Sequence, residues 1–524
     1  MPGPGAVPGT IRGRYRRPVD VDAVVVGAGP NGLVGANLLA DAGWRVLVLE
    51  AQPEPGGAVR SATLTHPGFV HDLCSAFYPL AVASPVVRAL RLEEHGLRWR
   101  RAPLVLAHPT GDRCVVLSPD VEETALSLGA FAARDAEAWR ALARQFDQVA
   151  EPLLGMLTSP LPPGRDAWSL VRALGAHGTA AFARRALASA ERLARDTFRG
   201  DGGRLLLAGN ALHSDVRLDR VPSGFLGWVL AGLGQRDGFP VPEGGAGRLT
   251  DALIARLCAR GGEVRCNSPV TRVRVRGGRA VAVELADGTV VDAPRGVLAD
   301  VGAPALYRDL VGEEHLPRRV THGLRRFRYD DATFKVDWAL SGPIPWRHEA
   351  AGRAGTVHLC DDLATARQYQ RDLADGRLPT RPFVLLGQMA VADPTRSPAG
   401  TGTAWAYTHV PRGARWDAAT VESFADRIEA EIECHAPGFR SVVTARHLLP
   451  PPALEALDAN LVQGAIGGGT MAMRQQLVLR PVPGLGGATT PIRGLYLASA
   501  SAHPGGGVHG ACGANAARAA LRHA

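Results

Sequence analysis

Residues 23–50, AVVVGAGPNGLVGANLLADAGWRVLVLE, decide the fold of this 524-residue chain. Ala23–Val26 is a short apolar run of the kind that forms a buried parallel strand. Gly27-Ala28-Gly29-Pro30-Asn31-Gly32 follows as a tight turn, Leu33–Ala42 continues as a helix with small apolar spacing, and Gly43 ends it. Val46–Leu49 makes a second apolar strand closed by Glu50-Ala51. Gly27 permits the turn, Gly29 lets the backbone approach a pyrophosphate, and Gly32 allows close packing of helix on strand. The helix aims its unpaired N–H groups and positive dipole end at phosphates, and Glu50 stands where a ribose offers hydroxyls. A bare GxGxxG means little among 62 glycines. Strand, turn, helix, strand and acid in that order predict a dinucleotide-binding βαβ unit.

A second glycine pair selects the dinucleotide. Pro55-Gly56-Gly57-Ala58-Val59-Arg60-Ser61 would let a further backbone segment lie along an extended cofactor, which suits FAD better than NAD. At the other end, Gly494–Ala500 reads as a strand, His503-Pro504-Gly505-Gly506-Gly507-Val508-His509-Gly510 as a glycine-rich turn, and Ala511–Leu521 as a helix. A helix start beneath a flavin ring would stabilise negative charge on the reduced cofactor. Gly505, Gly507 and Gly510 also fit GxGxxG, but no second βαβ unit or ribose acid follows. A separate NAD(P) domain is therefore rejected.

Composition narrows the class. Hydrophobic residues make up 46% and charged residues 21%, so the chain is globular, and its length predicts two interlocked domains. Its seven cysteines are odd in number and scattered without CxxC or CxxxxC spacing, which fits free thiols in a cytoplasmic setting and excludes disulfide-reductase chemistry. No His/Cys spacing suits a metal; His358-Leu359-Cys360 reads as a strand fragment. The net charge of +9 is spread out, and no basic-aromatic cluster supports nucleic-acid binding. No run is long enough to span a membrane. Arg12, Arg14, Arg16 and Arg17 form a basic tail that reads as disordered, with peripheral contact to anionic lipid as the alternative.

Six stretches follow: a tail at 1–20, FAD-binding segments at 21–80, 237–302 and 491–524, a mainly helical substrate or lid region at 81–236, and substrate-domain sheet and helices at 303–490. Pro222–Leu233 suits an apolar lid or a simple packing helix. Val270–Val275, Arg279–Leu285 and Val290–Asp292 read as a strand meander with Asp287-Gly288 at its hairpin. The fold class is α/β, joined to an α+β substrate domain with a helical insertion.

Lys335 is the only lysine among 59 lysines and arginines. Arginine serves wherever a generic positive charge suffices, so this position calls for a compact, titratable ammonium. Lys335 and Asp337 fall on one strand face, Phe334, Val336 and Trp338 on the other. A structural Lys–Asp pair is the plainer reading. His503 and His509 flank the last glycine turn, and His509, placed in the first turn of the final helix, is the better candidate to meet flavin or substrate. Asn460 and Gly467-Gly468-Gly469 read as a loop or as cavity lining.

With these motifs in hand, the chain resembles the phytoene-dehydrogenase-related flavoproteins, notably the branch called pyridine nucleotide-disulfide oxidoreductase domain-containing protein 2. The resemblance covers nearly the whole chain: the opening motif, Thr65–Phe69, Pro240–Leu249, Phe334–Leu340 and His503–Gly513. It implies a glutathione-reductase-like FAD domain of Rossmann type assembled from separated segments, with Val270 holding the adenine through its backbone. Lys335 is similar to the lysine that, in some flavin amine oxidases, holds a water near flavin N5. Relatives use an acid before the last helix on the ribityl chain; Ala500-Ser501 stands there instead. The two glycine-rich helix starts and the apolar inserted region point to FAD-dependent oxidation of a lipophilic substrate, polyene or acyl, and the resemblance, to a family that includes carotenoid desaturases, implies a desaturase-like type. Oxygen or a quinone is the candidate acceptor. Redox-neutral isomerisation, amine oxidation and a non-catalytic regulatory role stay open.

Overall fold

The computed structural model describes residues 21–524. The expectations for the tail at 1–20 lie outside the described residues.

The first strand, Ala23–Val26, sits in the middle of a five-stranded sheet. Val46–Leu49 and then Glu263–Arg265 lie on one side of it, Gly296–Ala299 and Leu495–Leu497 on the other, all parallel. Buried on both faces, such strands can be uniformly apolar, as AVVV and VLVL are. The helix between the first two strands begins at Pro30 rather than Leu33. Proline at the first helical position loses no hydrogen bond there, because that N–H has no partner within the helix. The meander forms as expected from Val270–Arg276, Arg279–Leu285 and Val290–Asp292. Its hairpin holds Gly288 at φ +83°, with the Thr289 N–H donating to the Asp287 carboxylate at 2.8 Å.

The final helix, Ala511–His523, presents an alanine face to the first. A Cβ on Gly513 would collide with the Asn31 carbonyl oxygen, far inside van der Waals contact. Contact of the two helix starts therefore requires glycine at 513.

A seven-stranded sheet builds the other half. Its order is Val443–Leu449, Ala332–Leu340, Gly402–Val410, Val384–Gln388, Ala354–Leu359, Leu104–Thr110 and Arg113–Leu117. The last two strands lie within the mainly helical stretch 81–236. They form a hairpin turning at Gly111 (φ +55°), and Leu104 is paired parallel with Ala354. Long-range pairing of a buried apolar run overrides the composition of its helical neighbours. Apart from a short strand at Trp99–Arg100, which pairs with Val241–Pro242, most of that region is helical, principally Ala133–Thr158, Gly164–Ala186, Asp201–Ala211 and Ser223–Asp237.

A buried ionic knot ties the halves together. Arg396 donates to Asp72 through both terminal nitrogens at 3.1 Å and to Asp393 at 3.0 Å, with all three side chains fully inaccessible. Asp72 also accepts the Ala246 N–H, and Asp393 the Gly244 N–H, each at 2.7 Å. Removing one partner of a buried pair strands the other charge, at about 3–5 kcal/mol. Arg396→Met should lower the apparent melting temperature by several degrees in differential scanning fluorimetry; an unchanged melting curve would refute the clamp.

Candidate active site

One cavity of about 800 Å³ runs from the glycine turn of the first strand into the space between the helices and the seven-stranded sheet. Gly27, Gly29, Pro30 and Asn31 line its first end, with Glu50 and Ala51 beside them. A Cβ on Gly29 would meet the Asp300 carboxylate at 2.6 Å, and one on Gly57 (φ +53°) would meet the Gly29 Cα at 3.3 Å. The Asn31 Oδ1 atom is buried without a protein partner. Glu50 is oriented by backbone, accepting the Ala28 N–H at 2.7 Å and the Gln52 N–H at 2.9 Å, and each oxygen keeps a further lone pair. Val270 reaches the same cavity, as do Gly506, Gly507 and Val508 from the C-terminal turn. The helix start, the glycines and the acid fit an extended dinucleotide.

Three residues expected at this end do not line it. The Gly32 N–H donates to Asp300 Oδ2 at 2.7 Å, and the Gly56 N–H donates to the Ala28 carbonyl at 2.9 Å. Arg60 spends its guanidinium on the carbonyls of Gly57 (2.9 Å) and Leu457 (2.8 Å), fastening the second glycine loop from behind.

The sheet paves the other end. Lys335, Tyr407, Leu385 and His358 lie side by side across four strands, and Asp337, Trp405, Gly387 and Thr356 form the adjacent row. Lys335 is 2% exposed and lines the cavity. Its Nζ is ion-paired with Asp337 and lies 6.0 Å from the Trp405 ring centroid. His71 Nδ1 stands 3.6 Å from the other Asp337 oxygen. Burial would raise the Asp337 carboxyl, but Lys335 and His71 outweigh it and hold its pKa below the ordinary value. Phe334, Val336 and Trp338 enter the opposite core, as strand alternation requires.

His509 precedes the final helix, whose N-cap is Gly510, rather than entering its first turn. Its Nδ1 accepts the Ala511 N–H at 3.0 Å and its Nε2 donates to the Gly505 carbonyl at 3.2 Å. Burial pushes its pKa down to about 4, so the ring is a neutral cap with both nitrogens engaged. His503 is off the cavity wall and also pushed down to about 4 by burial. Asn460 does line the cavity, bonding the Gly302 N–H at 2.8 Å and the Asp300 carbonyl at 3.1 Å.

The sequence profile described as flavin containing amine oxidoreductase matches residues 31–521. The chain belongs to that family. It is 28% identical to the mouse protein called pyridine nucleotide-disulfide oxidoreductase domain-containing protein 2, over 96% of this chain and 94% of that one. It is 24% identical to the neurosporene-forming phytoene desaturase of Rhodobacter capsulatus, over 93% and 91% of the two chains. Among solved structures, an oxidoreductase from Methanosarcina mazei superposes with a TM-score of 0.65 at 17% identity, covering 95% of this chain and 99% of the other. The protein is an FAD-dependent oxidoreductase. No helix among the described residues is long and apolar enough to cross a membrane.

Several site residues carry no signal in the sequence. His71 and Cys74 lie in HDLCSAF, a polar-apolar stretch without a motif. The Cys74 thiol is pushed up to about 12 by burial and stays protonated. Asp300 follows an apolar strand, just where a chain crosses the nucleotide turn, and that position was its available signal.

Asp300 is a buried titratable group at the helix start that would face the phosphates of bound FAD. Burial pushes its carboxyl up to about 7, so it is protonated below that pH and anionic above. A carboxylate at the start of the first helix would oppose phosphates bound there, so FAD affinity should fall as pH rises through about 7. Asp300→Asn keeps an acceptor for the Gly32 N–H without the charge. It should bind FAD about tenfold tighter than the parent near pH 8, since one pKa unit equals 1.36 kcal/mol, and about equally near pH 6. Flavin-fluorescence titration of apoprotein reads this; parallel pH curves would refute it.

Proposed function

We propose that this flavoenzyme dehydrogenates a lipophilic substrate, polyene or acyl in character, in the manner of a desaturase. The observation carrying the proposal is the continuity of the cavity. It joins the dinucleotide cradle to a wall formed by Phe225, Leu226, Val229, Leu230 and Leu233 of the Ser223–Asp237 helix. Leu154 and Leu157 extend that wall from the Ala133–Thr158 helix. Apolar walls bind a hydrocarbon by removing it from water, at about 25 cal/mol per Å² of apolar surface buried. The phytoene desaturase relative bears a name consistent with such a substrate.

Bound FAD supplies the hydride acceptor. The chain's part is to bind and orient the substrate, exclude water, and handle the proton lost with the hydride. Lys335 handles that proton through a water: its Nζ holds the water by donation, the water's lone pair takes the proton, and Asp337, backed by His71, pairs with the ammonium. Cradle assignments follow the cavity: Gly27, Gly29, Pro30, Asn31, Glu50, Ala51, Gly57, Val270 and Gly506–Val508 hold the cofactor.

Lys335→Met preserves the volume of the side chain and removes the donor. It should lower turnover by about 100-fold, the lower end of positioned acid–base contributions, with FAD content unchanged in the absorption spectrum. Anaerobic bleaching of flavin by long-chain or polyene compounds, followed by oxygen or quinone, tests the substrate class. Bleaching by short diamines alone would replace it with amine oxidation, and wild-type turnover in Lys335→Met would remove the lysine's role.

A further inference from the structure

The cavity floor is not uniformly apolar, and its polar atoms gather far from Lys335. His358 shares a row with Lys335 but stands three strands away, about 14 Å at the usual inter-strand spacing of 4.7–4.9 Å. Thr356 lies two residues earlier on the same strand face. Above them, the Asp201–Ala211 helix brings in Asn210, and His213 follows three residues later. His213 Nε2 meets His358 Nε2 at 2.9 Å, which locks the helix end to the strand. Asn210, His213 and Thr356 all line the cavity.

Each of these three keeps unused hydrogen-bonding capacity. Asn210 is 1% exposed; its Nδ2 donates to the Leu206 carbonyl at 2.8 Å, and its Oδ1 is buried without a protein partner. Thr356, also 1% exposed, has a buried, unpartnered Oγ1. The histidine pair must share one proton across its contact. His358 Nδ1 is buried and unpartnered, and a buried N–H without an acceptor is the costlier arrangement. His358 therefore donates from Nε2 to His213 Nε2, leaving the Nδ1–H of His213 as a donor. Burial lowers the pKa of His213 to about 3 and that of His358 well below its ordinary value, so both rings are neutral. The group thus offers a donor, an acceptor and a hydroxyl, and no charge.

The nearby acids Asp215 and Asp330 are oriented by donors of their own and are not part of the group. Asp215 accepts from the Thr470 hydroxyl and from the Met471 N–H at 2.8 Å, and Asp330 accepts the N–H groups of Ile466 (2.9 Å) and Gly467 (2.7 Å).

We propose that Asn210, His213 and Thr356 form a head-group subsite that selects a chain substrate ending in an uncharged hydroxyl, held about 14 Å from Lys335. The inference rests on the lipophilic reading above and names its substrate class more narrowly. A hydroxyl can accept from His213 and donate to Asn210 together. A carboxylate would face the lone pair of Asn210, and an ammonium the N–H of His213. Neither ion would find a counter-charge in the group, and burying an unpaired ion is strongly disfavoured.

The test is equilibrium binding to the FAD-loaded enzyme, read from the perturbed flavin absorption band. The probes are dodecanol, dodecane, dodecanoate and dodecylammonium. Dodecanol should bind about tenfold more tightly than each of the others, as expected where a site built to hydrogen-bond a hydroxyl meets a ligand lacking it. Asn210→Leu and, on a different element, Thr356→Val should each erase most of that preference while leaving FAD content and dodecane affinity unchanged. Equal binding of all four chains, or preference for either ion, overturns the subsite but leaves the lipophilic cavity standing. Preference for dodecanol that survives in both variants also overturns it. Failure of every chain to bind overturns the subsite and the lipophilic reading together.

Discussion

The starts of the first and last helices can meet only because position 513 has no side chain. There, backbone presses on backbone at the Asn31 carbonyl. The contact brings the opening glycine turn and the C-terminal glycine turn to a single cavity. A sheet whose central strand is Ala23–Val26 but whose edge is Leu495–Leu497 requires the intervening chain to fold outward and return. The substrate half is therefore suspended from the nucleotide half at several crossings, and the Arg396 knot closes one of them.

Charge is distributed within this frame according to what each end must hold. Around the cradle, Asp300 and Asp458 are both shifted upward, chiefly by burial and further by neighbouring carboxylates. That is a costly setting for anions and one in which the protonation state matters. At the floor, the Lys335–Asp337 pair carries compensated charge with His71 behind it. The far polar group carries none. Ionic, paired and neutral zones thus follow one another along a single cavity.

Local signals were the readable part of the sequence. The βαβ unit declares itself because strand, turn and helix are neighbours in the chain, and the meander because alternation and Asp287-Gly288 lie within one short stretch. Lys335 was visible through scarcity, and its face through strand alternation. What stayed hidden is made by long-range pairing. The Leu104–Thr110 strand finds its partner at Ala354–Leu359, far beyond any sequence window. Asn210 and Thr356 look like isolated polar residues in apolar runs until a helix and a strand are brought together. Arg60 fitted the expected glycine-rich pattern, yet backbone carbonyls claim its guanidinium. His509 falls ahead of the helix rather than in its first turn, because Gly510 adopts a left-handed conformation and delays the start.

Trp405 and Tyr407 stack on the floor with ring planes 10° apart. The indole of Trp405 lies almost on the neighbouring strand, where a Cβ at Gly387 would overlap its ring. A single methyl at that point would lift the indole toward the helices and make the chamber shallower beneath whatever occupies it. The headroom available to the occupant is therefore set by a residue outside the cavity lining, through the thickness of one aromatic ring.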